Sequence, residues 1–240
     1  MKRKSMIKIA VIATITIIAA LPAQTMGADT AVLGARAERA YDAREWASAF
    51  ALYSLVSEAE PDSIVPYTRS VVAAAMRADT TLIPQVLERA LDAKIPLDDI
   101  LGSLEREAVA LGRADIYISA VEGAARSMPY IRRPLYAAML RYHLFRSDGP
   151  NTIKYALAML AGRSDDIEAL TALARGYLLT DKTPEAADTY RRILALDPDN
   201  FDALVALATL LADTDPSAAR SYLRHACDIN PTPYLQQLLK

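Results

Sequence analysis

Between residues 167 and 200, the apolar positions Leu170, Leu173, Ala174 and Tyr177 recur at three- and four-residue steps, the spacing that lines one face of a helix. A polar run, Thr180-Asp181-Lys182-Thr183, interrupts the pattern before it resumes at Ala186, Tyr190, Ile193 and Leu194. Two amphipathic helices joined by a short turn are predicted. Thr183 is placed to cap the second helix, and Pro184 falls in its first turn, where a backbone N–H is not needed. Asp197-Pro198-Asp199-Asn200 ends the pair. Helices this short cannot bury an apolar stripe alone, so the pair is expected to stack on neighbours of its own kind.

The prolines carry the same period along the chain. Pro61, Pro96 and Pro129 stand 35 and 33 residues apart, and Pro198 and Pro231 stand 33 apart. The 69-residue gap from Pro129 to Pro198 is about two periods. A proline beyond a helix stops it, so evenly spaced prolines mean evenly spaced helix ends. Six units follow, at about 30–63, 64–96, 97–129, 130–166, 167–200 and 201–231, with a capping helix at 232–240. The middle units keep the period better than the motif, with turns predicted at Gly112-Arg113 and at Asp148-Gly149-Pro150.

Ile167–Asn200 resembles the 34-residue tetratricopeptide repeat. Leu170, Leu173, Ala174, Tyr177, Ala186, Tyr190, Ile193 and Pro198 fall at the family's signature positions. Thr30–Ser63 is similar through Leu33, Ala37, Ala40, Ala49, Tyr53, Val56 and Pro61, but has Arg36 where the family has leucine, so its first helix is expected to be irregular. Phe201–Pro231 is a third match with a shortened inter-helix turn. The resemblance implies an all-α fold, a right-handed α-solenoid of about six helix-turn-helix repeats.

The N-terminus does not belong to that pattern. Lys2, Arg3, Lys4 and Lys8 precede an uncharged stretch, Ile9 to Leu21, followed by Pro22 and small residues. That is the layout of a secretory signal peptide, shorter than the ~20 apolar residues of a spanning helix. Cleavage is expected before Ala28, delivering a periplasmic or secreted protein that is not embedded in a membrane, with an uncleaved membrane anchor as the less favoured alternative. Loss of residues 1–27 leaves 23 basic against 29 acidic side chains, a poor balance for nucleic acid or anionic lipid. Cys227 is the only cysteine, so no disulfide framework is available within the chain.

Candidate chemistry is sparse. His143 lies on the stripe with Tyr136, Met139 and Leu140 and reads as a packed side chain rather than a base. His225 and Cys227, two residues apart on a helix, point in different directions and cannot pair as base and nucleophile. No metal-ligand spacing, phosphate-cradling glycine loop or glutamate–serine pair occurs. Asp98-Asp99 and Asp165-Asp166 sit at helix starts, where carboxylates cap and complement the dipole. The reading is a non-enzymatic chain without cofactor or metal.

What remains is a surface. In the family this chain resembles, the first helix of each unit lines a concave groove. The corresponding positions are Glu38 and Tyr41, then Thr68, Arg69, Val72 and Met76, then Ser103 and Arg106. Later units supply Glu168, Arg175 and Leu178, then Asp202, Val205 and Thr209. Tyr41, Arg69, Arg106 and Arg175 are the candidate contacts for a peptide or protein partner. A glycan or small envelope ligand, taken through Tyr41, is the alternative. A second patch gathers Arg126, Tyr130, Arg132 and Arg133, where arginines can recognise an acidic partner or complement a helix C-terminus. The expected role is an adaptor of the bacterial cell envelope.

Overall fold

The computed structural model describes residues 26–233 and Leu235. The expected signal segment lies outside the described residues up to its last two positions, as does most of the expected capping helix. Among the described residues there are twelve α-helices and no strand. None of these helices is long and apolar enough to cross a membrane. Two compact units result, one ending at Gly123 and the other beginning at Ala124.

The first unit holds α1 (Met26–Asp42), α2 (Trp46–Ala59), α3 (Ile64–Met76), α4 (Leu82–Asp92), α5 (Leu97–Ala110) and most of α6 (Ala114–Ser127). Helix α2 packs on α1 and α3, and α3 packs on α4 and α5. Tyr53, Ile83, Leu87, Ile100 and Leu104 are almost wholly buried, and the alanines Ala49, Ala73, Ala74 and Ala90 let helices approach closely. Burial of one such leucine or isoleucine stabilises the fold by about 2 kcal/mol over leaving it exposed.

Helix α1 runs unbroken through Arg36, contrary to the irregularity expected there. Arg36 is exposed, and arginine is a good helix former, so the leucine's absence removes a core contact without interrupting the backbone.

The second unit carries a 3-10 turn (Pro129–Ile131) and then α7 (Arg132–Phe145), α8 (Gly149–Gly162), α9 (Ile167–Leu178), α10 (Thr183–Leu196), α11 (Phe201–Leu211) and α12 (Pro216–Ile229). Each of these helices packs on the next, and α7 also packs on α9. Leu135, Met139, Leu170, Leu173, Ile193 and Leu204 form the buried stripes. Leu235, in the expected capping segment, is buried against Leu204, Leu223 and Ala226.

Four helix starts in this unit are capped by side chains. Asp148 accepts from Asn151 N at 3.2 Å, Asp166 from Ala169 N at 3.2 Å, Asn200 from Ala203 N at 3.1 Å and Asp215 from Ala218 N at 3.0 Å. Each such cap contributes about 1 kcal/mol. Thr183 is not among them: α10 begins at Thr183 itself, with Lys182 at the cap and no side-chain hydrogen bond there.

One turn geometry recurs. Arg44, Ala78, Gly112, Ser147 and Asp181 all have φ between 55° and 66° and lie between the two helices of a pair. In each, the following N–H donates to the carbonyl five residues back, as Glu45 does to Ala40 at 2.8 Å and Lys182 to Tyr177 at 2.9 Å. This satisfies a carbonyl the helix end would otherwise strand. The last pair lacks it, but the shortened turn read from the sequence is not found: four residues separate α11 and α12, as between α9 and α10, and α11 is the shorter element at 11 residues.

Candidate partner-binding surface

Arg69, on α3, is the hub of the first unit. Its Nη1 donates to the Tyr53 hydroxyl at 2.8 Å and to the carboxylate of Glu38 on α1. Its Nε lies 3.6 Å from the Glu107 carboxylate on α5, an ion pair too long for a hydrogen bond. The guanidinium stands over the Tyr41 ring at 4.9 Å and the Tyr53 ring at 5.8 Å. Tyr41 meets Trp46 and Tyr53 edge-on at 5.3 and 5.9 Å. Three first helices, α1, α3 and α5, are thereby tied through one cation.

The electrostatics agree with that reading. Burial pushes the Tyr53 phenol up to about 12, against the opposing pull of Arg69. Burial, reinforced by the negative charge of Glu107, raises the Tyr41 phenol further. The Tyr41 hydroxyl has no partner in hydrogen-bond geometry, so Glu107 acts on it mainly through its charge. Burial works against the charge on Arg69, but Tyr53 and Glu38 outweigh it and hold the guanidinium protonated.

The structure therefore brings Tyr41 and Arg69 together, but as parts of a packed contact. Tyr41 is 5% exposed, and the Arg69 side chain 22%. Arg106 is not part of the cluster: it is exposed on α5 and makes no ion pair among the described residues. The neighbouring Glu107 is the side chain that joins the hub, and sequence reasoning missed it. No helical period separates two adjacent acidic or basic positions by role. Only the reach of Arg69 across two helices selects Glu107.

In the second unit, Arg175 on α9 is exposed and without an ion pair among the described residues. It borders a hollow of about 260 Å³ lined also by Leu144, Ser147, Leu178 and Leu179. Two glycines make this crowding possible. A Cβ on Gly149 would stand 2.7 Å from Thr180 Cγ2 and 2.9 Å from Leu179 Cβ. One on Gly176 would stand 2.9 Å from Ile153 Cγ1. The start of α8 can thus lie against the end of α9, with the left-handed Ser147 at its edge. Burial raises the Tyr190 phenol on α10, with the charge of Arg175 opposing and that of Asp202 adding to the shift.

Of the second predicted patch, two arginines serve the fold. Arg132 Nε donates to the Ala125 carbonyl at 2.9 Å, holding the end of α6, and Arg133 pairs with Asp166, the cap of α9. Tyr130 is 66% exposed, and Arg126 is exposed beside it in sequence.

His143 is a packed side chain, 4% exposed. Its ring stacks on Tyr155 at 5.4 Å, and its Nδ1 lies 2.9 Å from Asp148, the cap of α8. His225 contacts Asp199 at 2.8 Å, and Cys227 packs partly buried against the last core cluster. Among the described residues, no group of three His, Cys, Asp or Glu side chains could hold a metal ion.

Comparison with known proteins gives the same picture of the repeat. Residues 167–210 match the family described as tetratricopeptide repeat. The chain is similar to human RANBP2-like and GRIP domain-containing protein 2, with 31% identity over 105 residues. That match covers 44% of this chain and only 6% of the human protein's length. Among solved structures, the chain is similar to the C-terminal part of a TPR repeat-containing protein from Cytophaga hutchinsonii. The identity is 16%, covering 80% of this chain and 77% of that one, with a TM-score of 0.49. It is also similar to the TPR2AB domain of yeast Sti1, in a structure described as a complex with pHSP90. There the identity is 16%, the coverage 89% and 98%, and the TM-score 0.39. The tetratricopeptide-repeat match thus falls on residues 167–210, from the start of α9 to near the end of α11, within a chain whose described helices pair through repeated turns.

Proposed function

We propose that this chain is a non-catalytic protein-interaction adaptor of the bacterial cell envelope, exported through its N-terminal segment, that holds a polypeptide partner along the first helices of its pairs. The observation that carries the reading lies within the matched repeat. Arg175, Leu178 and Leu179 face solvent there, and Arg175 has no ionic partner among the described residues. Apolar side chains and an arginine left uncovered together are the raw material of an interface hot spot. A glycan-binding reading rests on Tyr41 and draws less support, because its ring is covered by Arg69, Trp46 and Tyr53.

The test is affinity purification of the protein from cell envelopes, beside a variant carrying Arg106→Ala and Arg175→Ala. Both side chains are exposed, so the variant should fold as the parent does. One envelope protein retained by the parent and lost by the variant is the expected outcome. Retention of nothing by the parent under gentle conditions contradicts the adaptor reading. N-terminal sequencing of the same sample checks export, with a first residue at or near Ala28 expected.

A further inference from the structure

The geometry points to a specific recognition element in the second unit: the hollow beside Arg175 takes one aliphatic side chain of a partner polypeptide, and Arg175 binds an aspartate or glutamate next to it. This rests on the adaptor reading and names the chemistry of the partner. Three features combine. The walls are Leu144, Leu178 and Leu179, with the Ser147 turn at one edge and the unpaired guanidinium at another. The volume, about 260 Å³, lies below the ~300–1,000 Å³ typical of whole small-molecule sites, so it suits a side chain rather than a complete ligand. Leu178 and Leu179 are 36% and 43% exposed, apolar surface that a partner's side chain would remove from water.

Charge decides the second half of the motif. From Ala124 onward, fourteen basic side chains face thirteen acidic ones. From Ala28 to Gly123, nine basic side chains face sixteen acidic. An acidic segment is repelled by the first unit and meets no net repulsion at the second. Of the other two candidate arginines, Arg69 is already held by Glu38 and Glu107, and Arg106, though exposed, lies in the acidic first unit. Arg175 is exposed in the second unit, and its planar fork matches a carboxylate in two-point geometry.

A random-peptide display library selected on the purified protein tests this. Enriched sequences are expected to place Asp or Glu beside Leu, Ile, Val or Met. A fluorescein-labelled synthetic copy of the best sequence should bind roughly tenfold or more weakly to Arg175→Gln, the loss of a charge-assisted contact. Changing the peptide's acid to its amide should weaken binding to the parent and leave binding to Arg175→Gln unaltered. Leu178→Ser should weaken binding of both peptide forms. Selected sequences without an acidic residue overturn the proposal, as does binding indifferent to Arg175→Gln, though the adaptor reading survives either result. No enrichment overturns the proposal too. If envelope purification also retains nothing, both readings fall.

Discussion

Arg69 on α3 covers the ring of Tyr41 on α1 at 4.9 Å, while Glu38 and Glu107 hold the same guanidinium from α1 and α5. Three helices that begin successive pairs share one cation. Arg69→Ala is therefore expected to lower stability by about 2 kcal/mol, from lost charged hydrogen bonds and cation–π contact. Arg69→Lys should recover less than half, because a single ammonium cannot reach the same set of partners. Urea unfolding of the three proteins decides it. A loss below about 0.5 kcal/mol for the alanine variant would show that the hub is a surface contact only.

The left-handed turns offer a gain. Ala78 has φ 55°, a conformation that costs a residue with a Cβ roughly 1–2 kcal/mol. Ala78→Gly is expected to stabilise by about 0.5–1 kcal/mol after the entropy cost of glycine, and Gly112→Ala to destabilise by a similar amount. Opposite signs at the two positions, read from thermal unfolding, are required. The same sign at both would mean the turns relax freely.

At Gly176 the space is closed rather than the dihedral restricted. An added Cβ would meet Ile153 Cγ1 at 2.9 Å and the Ile153 backbone nitrogen at 3.2 Å. Gly176→Ala is expected to cost about 1–2 kcal/mol, overpacking exceeding the gain in helix propensity. Gly102→Ala, whose only close neighbour is the flexible Arg106 at 3.4 Å, should instead gain up to about 1 kcal/mol. Denaturant midpoints of the pair give the comparison directly.

Acid should find Asp148. Burial opposes its charge, but Asn151 (through side chain and backbone) and His143 outweigh burial and hold its pKa below the ordinary carboxylate value. A group depressed in the folded state contributes stability above its unfolded pKa, and that contribution disappears as pH falls through the folded value. Asp148→Asn is expected to unfold more easily at pH 7 and to lose part of the parent's steepening below about pH 4. Parallel acid limbs for parent and variant would contradict this.

Helix pairing was legible because proline, polar turns and the three-four apolar spacing are local signals. The clearest structural period was not. Arg44, Ala78, Gly112, Ser147 and Asp181 stand 34, 34, 35 and 34 residues apart, a tighter repeat than the prolines, yet only one is glycine. Packing of the flanking helices forces the left-handed turn on side chains that disfavour it, so composition does not announce it. The candidate site shows the same limit. Position within the repeat placed Tyr41, Arg69, Arg106 and Arg175 on first helices, but it could not tell which cation has acidic neighbours within reach. Glu38 and Glu107 capture Arg69 across two helix interfaces, whereas no carboxylate pairs with Arg175 among the described residues.

The adaptor reading is tested most directly inside the cell, with a photo-crosslinking amino acid placed at Leu178 and, as a control, at the exposed Arg192 on α10. Illumination is expected to join position 178 to one envelope protein as a discrete product that disappears when Arg175→Gln is added. The control should give none. No product from position 178, or the same products from both positions, would contradict the account.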